Sequence, residues 1–131
     1  MTPYEAQQAL LAHFFAATFI DVDVFDTPNS DSFARPEKGI WGRVNFSGAF
    51  GAFAGFGDNP RTKQSGTMVV QLFVPKGSGW GELSEFASQL AAYLSWHDYD
   101  RLETHAASII DVGERDGQYQ YNVSLPYIIK P

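Results

Sequence analysis

The most constraining feature of the sequence is a strict alternation of apolar and polar residues near its end. Apolar side chains occupy every second position from 119 to 127, with Gln, Asn, Ser or Pro between them: Tyr119, Tyr121, Val123, Leu125 and Tyr127. A period of two is typical of a β-strand that buries one face. Asp116-Gly117, just before this run, favours a two-residue hairpin turn. The pattern predicts a closing hairpin whose apolar side needs a covering layer.

Two segments with helical periodicity can supply that layer. Thr2-Pro3-Tyr4-Glu5 forms a capping box with proline at the first helical position, and predicts a helix over residues 3–18. A second helix is predicted over residues 81–95, because apolar residues recur there at i, i+3, i+4, i+7 and i+11: Leu83, Phe86, Ala87, Leu90 and Leu94. This second helix has one apolar face, which a sheet would cover.

The remaining apolar segments predict strands. Ile20, Val22 and Val24 alternate with aspartates, a long hairpin starts at Trp41 and returns along "TMVVQLFV", and residues 104–112 favour another strand. We therefore expect one α+β domain over residues 1–131 in the order α-β-β-β-α-β-β. Its two helices would pack on one face of a mostly antiparallel sheet with a long central β-hairpin.

The glycine-rich segment "PKGSGWGEL" joins a predicted strand to the second helix, which is the outline of a phosphate-binding loop. A P-loop needs a Lys-Ser/Thr pair at the start of the helix, and this chain has Glu82-Leu83 there. Glu82 also stands where a dinucleotide fingerprint has its third glycine, and its carboxylate would repel a pyrophosphate. We expect residues 75–81 to form a sharp structural turn that binds neither nucleotide nor phosphate, and we expect the chain to have no cofactor.

Composition and charge exclude several classes of protein. The chain has no cysteine, so disulfides, thiol catalysis and cysteine-ligated metals are excluded. The first residues lack a basic region, and no apolar run approaches the roughly 18 residues of a membrane span, so we expect neither signal peptide nor membrane partner. The net charge of −6 argues against tight nucleic-acid binding.

The charges are unevenly distributed along the chain. Residues 1–31 hold five acids and no base, residues 32–76 hold six bases and two acids, and residues 77–131 hold three bases and eight acids. The commoner explanation is a solvated surface, and the sharper one is a pair of complementary patches that meet on neighbouring copies of the chain.

Candidate metal ligands are sparse. The spacing of His97 and His105 matches no common zinc pattern, and His13 lies on a predicted helix beside two phenylalanines. Asp21 and Asp23 would share one face of the predicted first strand, so a calcium or magnesium site can be imagined there, although a ligand-dense loop of known type is missing. We favour a solvated or edge-protecting face, with no metal site.

Candidate catalytic groups are equally sparse. The paired carboxylates are Asp98 with Asp100, in a polar loop, and Glu82 with Glu85, on an exposed helix turn. Neither environment predicts the burial that separates two carboxyl pKa values into acid and base roles. The chain also lacks a G-x-S-x-G nucleophile motif. We expect no catalytic residues and no enzymatic activity.

Residues 47–65 are the most unusual segment. Three phenylalanines recur every third residue among glycines, a spacing that suits neither a strand nor a stable helix: Phe50, Phe53 and Phe56. Exposed phenylalanines need a partner to cover them, and Arg61 and Lys63 follow in the hairpin tip. These five residues predict an arm that lies on a neighbouring subunit or on another partner protein. The alternative is an ordinary loop folded back on its own sheet.

Three segments together resemble the tail terminator proteins of long-tailed bacteriophages and a related family of small phage tail proteins without an assigned function. They are Trp41-Gly42-Arg43-Val44, "GTMVVQLFVPKGSGWGE" and "DGQYQYNVSLPYII". Their order and spacing, with a short helix in front and an alanine-rich helix between, cover nearly the whole chain. Segments 47–57 and 96–105 depart from the family pattern.

The resemblance implies a structural virion protein at the head-proximal end of the tail, assembled in the host cytoplasm. It implies a homo-oligomeric, six-fold ring that caps the major tail tube protein, ends tail growth and joins the head-side connector protein. Genomic DNA would pass through the ring without specific binding. The alternatives are another head-to-tail neck or tail completion protein, or, in a different class, a small ligand- or peptide-binding module.

Overall fold

The computed structural model of the protein describes residues 1–28, 33–53 and 62–130, with the backbone alone for residues 48–53 and 62–63. Its elements are, in chain order, α1 (Pro3–Ala16), a 3-10 helix (Val22–Val24), β1 (Phe25–Asp26), β2 (Trp41–Phe53), β3 (Thr62–Pro75), α2 (Trp80–Leu94), β4 (Asp98–Tyr99), β5 (Leu102–Thr104), β6 (Ser108–Arg115) and β7 (Gln118–Ile129). The α+β class, the two helices and the long hairpin confirm the predicted fold.

The strands form one mixed, mostly antiparallel sheet with the order β1-β2-β3-β7-β5-β4, in which β6 also pairs with β7. Only the two-residue β1 runs parallel to its neighbour β2. The central strand β7 pairs along almost its whole length with β3 on one side. On its other side β7 pairs first with β6 and then with β5.

The hydrophobic core lies between the helices and one face of the sheet. On that face, opposite residues of β3 and β7 are buried in register, such as Val70 with Val123 and Met68 with Leu125. From the helices, Leu10 and Phe14 of α1 and several residues of α2 are buried against them, including Leu90, which is fully inaccessible. Burying one such side chain contributes roughly 1.5–3 kcal/mol to the stability of the fold. A one-residue slip would turn these side chains to the other face of the sheet, so their burial fixes the register of the strands.

The start of α1 follows the predicted capping box. The main-chain N–H of Glu5 donates to Oγ1 of Thr2 at 3.1 Å, and the main-chain N–H of Thr2 donates to the Glu5 carboxylate at 3.0 Å. The helix ends at Ala16, two residues before its predicted end, because Ala17 has an extended conformation.

The strand predicted from Ile20, Val22 and Val24 is wrong. Oδ1 of Asp21 accepts the main-chain N–H of Asp23 at 3.0 Å, which closes a turn and begins the 3-10 helix. Val22 is consequently 55% exposed, and the strand is displaced to Phe25–Asp26. Asp21 and Asp23 therefore do not lie along one strand face.

The strand predicted over residues 104–112 is divided into β5 and β6. Pro126 of β7 has no N–H to donate at the position between the two pairings. Between β5 and β6, the N–H of His105 still donates to the Pro126 carbonyl of β7 at 3.0 Å, whereas the N–H of Ala107 leaves β7 and donates to Oγ of Ser95 at 2.8 Å. The following turn at Asp116-Gly117 is confirmed, with φ of 50° and 77°.

Glycine is required at position 42, where β1 meets β2. A Cβ atom added to Gly42 would lie 2.5 Å from the carbonyl oxygen of Gln71 and 2.7 Å from the ring of Phe25. The missing side chain makes room for the Phe25 ring, which is 6% exposed. No residue with a side chain therefore fits at position 42 beside the buried Phe25 ring.

Candidate interaction surfaces

The face of the sheet opposite the helices is mostly polar. Strand alternation puts Asn45, Gln71, Asn122 and Ser124 on this face, and all four side chains are exposed or half-buried. We call it the open face. A polar sheet face of this kind is compatible with solvent or with a hydrated interface.

Trp41 is one of the apolar residues on the open face, and only 2% of it is exposed. Its indole stacks on Phe73, the residue opposite it in β3, with ring centroids 4.4 Å apart and an angle of 18°. The indole N–H donates to Oε1 of Gln118 at 3.1 Å, and Phe33 covers the ring from the loop before β2. The ring is therefore fixed by strand pairing, stacking and a buried hydrogen bond.

Arginines surround Trp41. The guanidinium carbons of Arg35 and Arg43 each lie 5.6 Å from the indole centroid, within cation–π range. Together with Arg115 they border a cleft of about 280 Å³ on the open face, whose other lining residues are Trp41, Gln71, Phe73, Asp116, Gln118 and Gln120. We call this the Trp41 cleft.

The charges around the Trp41 cleft are mixed but favour anions. Nε of Arg43 lies 4.0 Å from Oδ2 of Asp26, and Asp116 contributes a carboxylate to the lining. No carboxylate in the described part of the chain lies within ion-pair distance of Arg35 or Arg115. Three guanidinium groups therefore face two carboxylates.

Three of the residues predicted for the subunit interface lie in the last described part of the long hairpin. Phe50 pairs with Ser65, Phe53 with Thr62, and Lys63 with Ala52, so the glycine- and phenylalanine-rich stretch continues as strand to Phe53 with a register shift after Ser47. Phe56 and Arg61 lie outside the described residues. The prediction that Phe50, Phe53, Phe56, Arg61 and Lys63 contact a neighbour stays a prediction.

The hairpin extends beyond the rest of the sheet. Strand β7 reaches β3 only as far as Gln64, and β1 reaches β2 only at Gly42 and Arg43. From Val44 to Phe53, β2 therefore has no partner on its outer side among the described residues. The backbone of residues 62–63 pairs with β2 alone. Among the described residues, the hairpin is therefore two-stranded at the Ala52–Lys63 and Phe53–Thr62 pairs.

A cluster of aromatic and imidazole rings joins the two helices. The ring of His13 on α1 stacks on Tyr93 of α2 at 4.2 Å and lies 4.3 Å from the ring of His97. The Tyr93 hydroxyl donates to the main-chain carbonyl of His13 at 2.6 Å, and Nε2 of His97 lies 2.7 Å from the main-chain carbonyl of Tyr93. Tyr99 completes the cluster, with its ring edge-on to the His13 ring at a centroid distance of 5.4 Å.

Burial changes the titration of this cluster. It lowers the pKa of His13, a shift opposed by the hydrogen bond to the Tyr93 carbonyl and reinforced by the neighbouring His97. Burial and the proximity of Tyr93 raise the pKa of Tyr99 to about 12. Both shifts favour the uncharged forms, as expected for groups that pack between helices.

The glycine-rich loop has the geometry of a turn. Gly77 and Gly79 have φ of 83° and 118°, and the N–H of Ser78 donates to the Pro75 carbonyl at 3.0 Å. The Glu82 side chain folds over Gly79, where an added Cβ atom would lie 3.4 Å from its carboxylate oxygen. A carboxylate therefore occupies the start of α2, the position that a bound phosphate would take.

The other sequence candidates remain apart from one another. Asp98 and Asp100 are exposed, and Asp98 pairs with Lys130 at 3.2 Å. Glu82 is exposed at the N-terminus of α2, as is Glu85 on its first turns. Across residues 1–28, 33–53 and 62–130, His, Asp and Glu side chains form no group of three that could hold a metal ion. Neither described helix is long and apolar enough to cross a membrane.

A second depression lies on the open face at the other end of the β3–β7 pair. It measures about 320 Å³, and its lining residues are Ser65, Gly66, Thr67, His105, Pro126, Tyr127 and Ile128. His105 borders it, with Nε2 lying 3.7 Å from Glu103. It lacks the convergent donors of the Trp41 cleft.

The Trp41 cleft is the feature that sequence reasoning missed. Its lining comes from four separate segments, and only the strand register brings Gln118 and Arg115 beside Trp41. The available signal was the run Trp41-Gly42-Arg43, in which an aromatic and a basic residue two apart share one strand face.

Comparison with known proteins bears on the fold alone. No protein-family model matches the chain, and no curated protein matches it. A solved chain superposes on it with a TM-score of 0.64 at 17% sequence identity, over 95% of this chain and 96% of the other. The arrangement of two helices on a sheet with a long hairpin is therefore an architecture that another protein adopts with a very different sequence.

Proposed function

We propose that this protein is a structural virion protein of the tail terminator class. Copies of the chain form a six-fold ring on the last layer of the phage tail tube, end tube growth, and give the head-side connector its joining surface. The proposal rests on the three sequence segments that resemble this family, in their order and spacing, and on the α+β fold in which they lie.

The observation that supports the proposal most is the unsupported end of the β2–β3 hairpin. A two-stranded ribbon is marginally stable by itself in water, and an unpaired strand edge invites pairing with another chain. Here the outer edge of β2 from Val44 to Phe53 has no described partner strand, and this stretch contains Phe50 and Phe53. A neighbouring subunit or the tail tube protein would cover the ribbon in the assembled tail.

The charge of the chain suits a conduit for DNA. With a net charge of −6 per copy, a ring of subunits would repel DNA phosphates and let the genome pass without binding. The uneven charge distribution along the chain also favours head-to-tail contacts between copies, which close into a ring when their rotation allows it.

The experiment that tests this function is deletion of the gene from the phage that encodes it, with complementation by the wild-type gene as the control. Loss of a terminator leaves tube growth unchecked, so electron micrographs should show headless tails of irregular and excessive length. Headless tails of normal length would instead identify another neck or tail completion protein. Normal infectious particles would reject a virion role altogether.

A further inference from the structure

The Trp41 cleft is rich in hydrogen-bond donors that have no acceptor in the described part of the chain. Oε1 of Gln118 accepts the Trp41 indole N–H, and the Gln118 amide nitrogen has no acceptor among the described residues. Gln71 likewise receives a bond on its oxygen, from Asn45 at 3.4 Å. With the guanidinium groups of the bordering arginines, the lining presents far more donors than acceptors.

The cleft is also held in shape before any ligand arrives. Arg43 lies between the Asp26 carboxylate and the rings of Trp41 and Phe73, at 5.6 and 6.0 Å from the two ring centroids. The rings themselves are fixed by stacking and by strand pairing. Because Arg43 and the rings of Trp41 and Phe73 already hold these positions, they lose little conformational freedom when an anion binds.

We propose that the Trp41 cleft is a docking site for a single acidic side chain, Asp or Glu, presented by a partner protein. The carboxylate would receive hydrogen bonds from Arg43 and Arg115 and from the Gln118 amide, and the apolar stem of the acid would lie against the half-buried ring of Phe73. The proposal goes beyond the ring proposed above, since one copy of the chain carries the whole cleft.

Size and charge favour an isolated carboxylate over nucleic acid. At about 280 Å³ the cleft is smaller than the pockets that take drug-sized ligands, and suits one or two side chains. Asp116 in the lining and Asp26 beside Arg43 would repel a continuous phosphate backbone. A lone carboxylate brings one negative charge to the cleft and meets less of this repulsion than a chain of phosphates.

The test uses the full-length protein and the indole N–H signal of Trp41 in a two-dimensional ¹⁵N NMR spectrum, assigned by its loss in Trp41→Phe. The probe is a capped peptide of alternating Glu and Gly, and the matched control peptide has Gln in place of Glu. We expect the Glu peptide to shift the Trp41 signal saturably, while the Gln peptide leaves it unmoved. No shift, or equal shifts with both peptides, would overturn the proposal.

Two variants test whether the peptide binds in the cleft. Arg43→Gln and Arg115→Gln should each weaken peptide binding about tenfold, the loss expected for one charge-assisted hydrogen bond. Arg101→Gln, an exposed arginine outside the cleft, should leave it unchanged. Arg115 lies in the exposed closing hairpin, so its variant tests the cleft even if Arg43→Gln disturbs Asp26.

Two further probes separate the ligand classes. Inorganic phosphate and a short DNA duplex are titrated under the same conditions, at two salt concentrations. A saturable Trp41 shift with the duplex that exceeds the peptide effect would identify a nucleic-acid site and overturn the proposal. A shift with phosphate but none with the Glu peptide would likewise contradict it. Weaker effects from both than from the peptide would support it.

Discussion

The hydroxyl of Tyr93 donates a 2.6 Å hydrogen bond to the main-chain carbonyl of His13, while the two rings stack 4.2 Å apart. That carbonyl belongs to the last four residues of α1, where carbonyl groups have no intrahelical partner. A side chain of α2 therefore completes the end of α1. The same contact holds the two helices together above the sheet.

Replacing Tyr93 by Phe should destabilise the protein. The variant keeps the ring and its stacking but removes the donor, so the His13 carbonyl loses its partner at a cost of about 1–3 kcal/mol. Urea unfolding measures the change. Tyr4→Phe is the matched control, because Tyr4 is 66% exposed and its loss should be close to neutral. Equal stability of the Tyr93 variant and the wild type would show that the hydroxyl contributes nothing.

Acidification should weaken the helix–helix contact. The pKa of folded His13 is lowered from 6.5, so as the pH falls the unfolded chain binds a proton first. The stability that neutral His13 contributes is complete above the unfolded pKa and is lost as the pH falls from there through the folded pKa. Urea unfolding between about pH 7.5 and about pH 5 should show a decline that His13→Gln reduces. The pKa of Glu5 is also lowered, so the effect of Glu5 on stability falls below this pH range. An unchanged pH slope in the variant would contradict the assignment.

Gly42→Ala should be among the most damaging small substitutions in the chain. The new methyl group would meet the Gln71 carbonyl of β3 at 2.5 Å and the Phe25 ring of β1 at 2.7 Å, so β2 would have to shift against both neighbours, at a cost of about 1–3 kcal/mol. Gly81→Ala serves as the control, since no atom lies within 4 Å of its added Cβ and alanine favours the helix there. Thermal unfolding compares the two variants, and a similar melting temperature for both would reject the packing argument.

Replacing Phe50, Phe53 and Phe56 together by Ser tests the hairpin arm. If these residues serve an interface, the variant should fold with unchanged circular dichroism and cooperative melting, yet fail to give properly terminated tails in electron micrographs. A variant that unfolds would place the phenylalanines in the core of the monomer. Normal tails joined to heads would mean that the arm contacts no essential partner.

Much of the fold could be predicted because local signals and burial agree. The capping box at Thr2, the Asp116-Gly117 turn and the alternation of β7 all specify the same structure that the buried core requires. The strand prediction near Ile20 was wrong because the Asp21 side chain accepts the main-chain N–H of Asp23, which closes a turn in place of extended backbone. The alternation of apolar and polar residues does not reveal this bond.

The candidate sites were less predictable, because they depend on strand register. The Trp41 cleft joins residues that are far apart in the chain, and its hydrogen bond from Trp41 to Gln118 spans 77 positions. The stacking of His13 on Tyr93 spans 80 positions. Helical periodicity indicates that both residues lie on helices, but not that their rings meet. Such contacts depend on how the elements pack, and no local pattern in a single sequence indicates them.

The most direct test of the proposed function is a cryo-electron microscopy reconstruction of the intact particle at the junction of head and tail. The proposal predicts a closed six-fold ring of this chain between the last tube layer and the connector, with the β2–β3 hairpin of each copy lying against a neighbour or the tube. A particle that lacks the chain at this position, or contains a single copy, would contradict it.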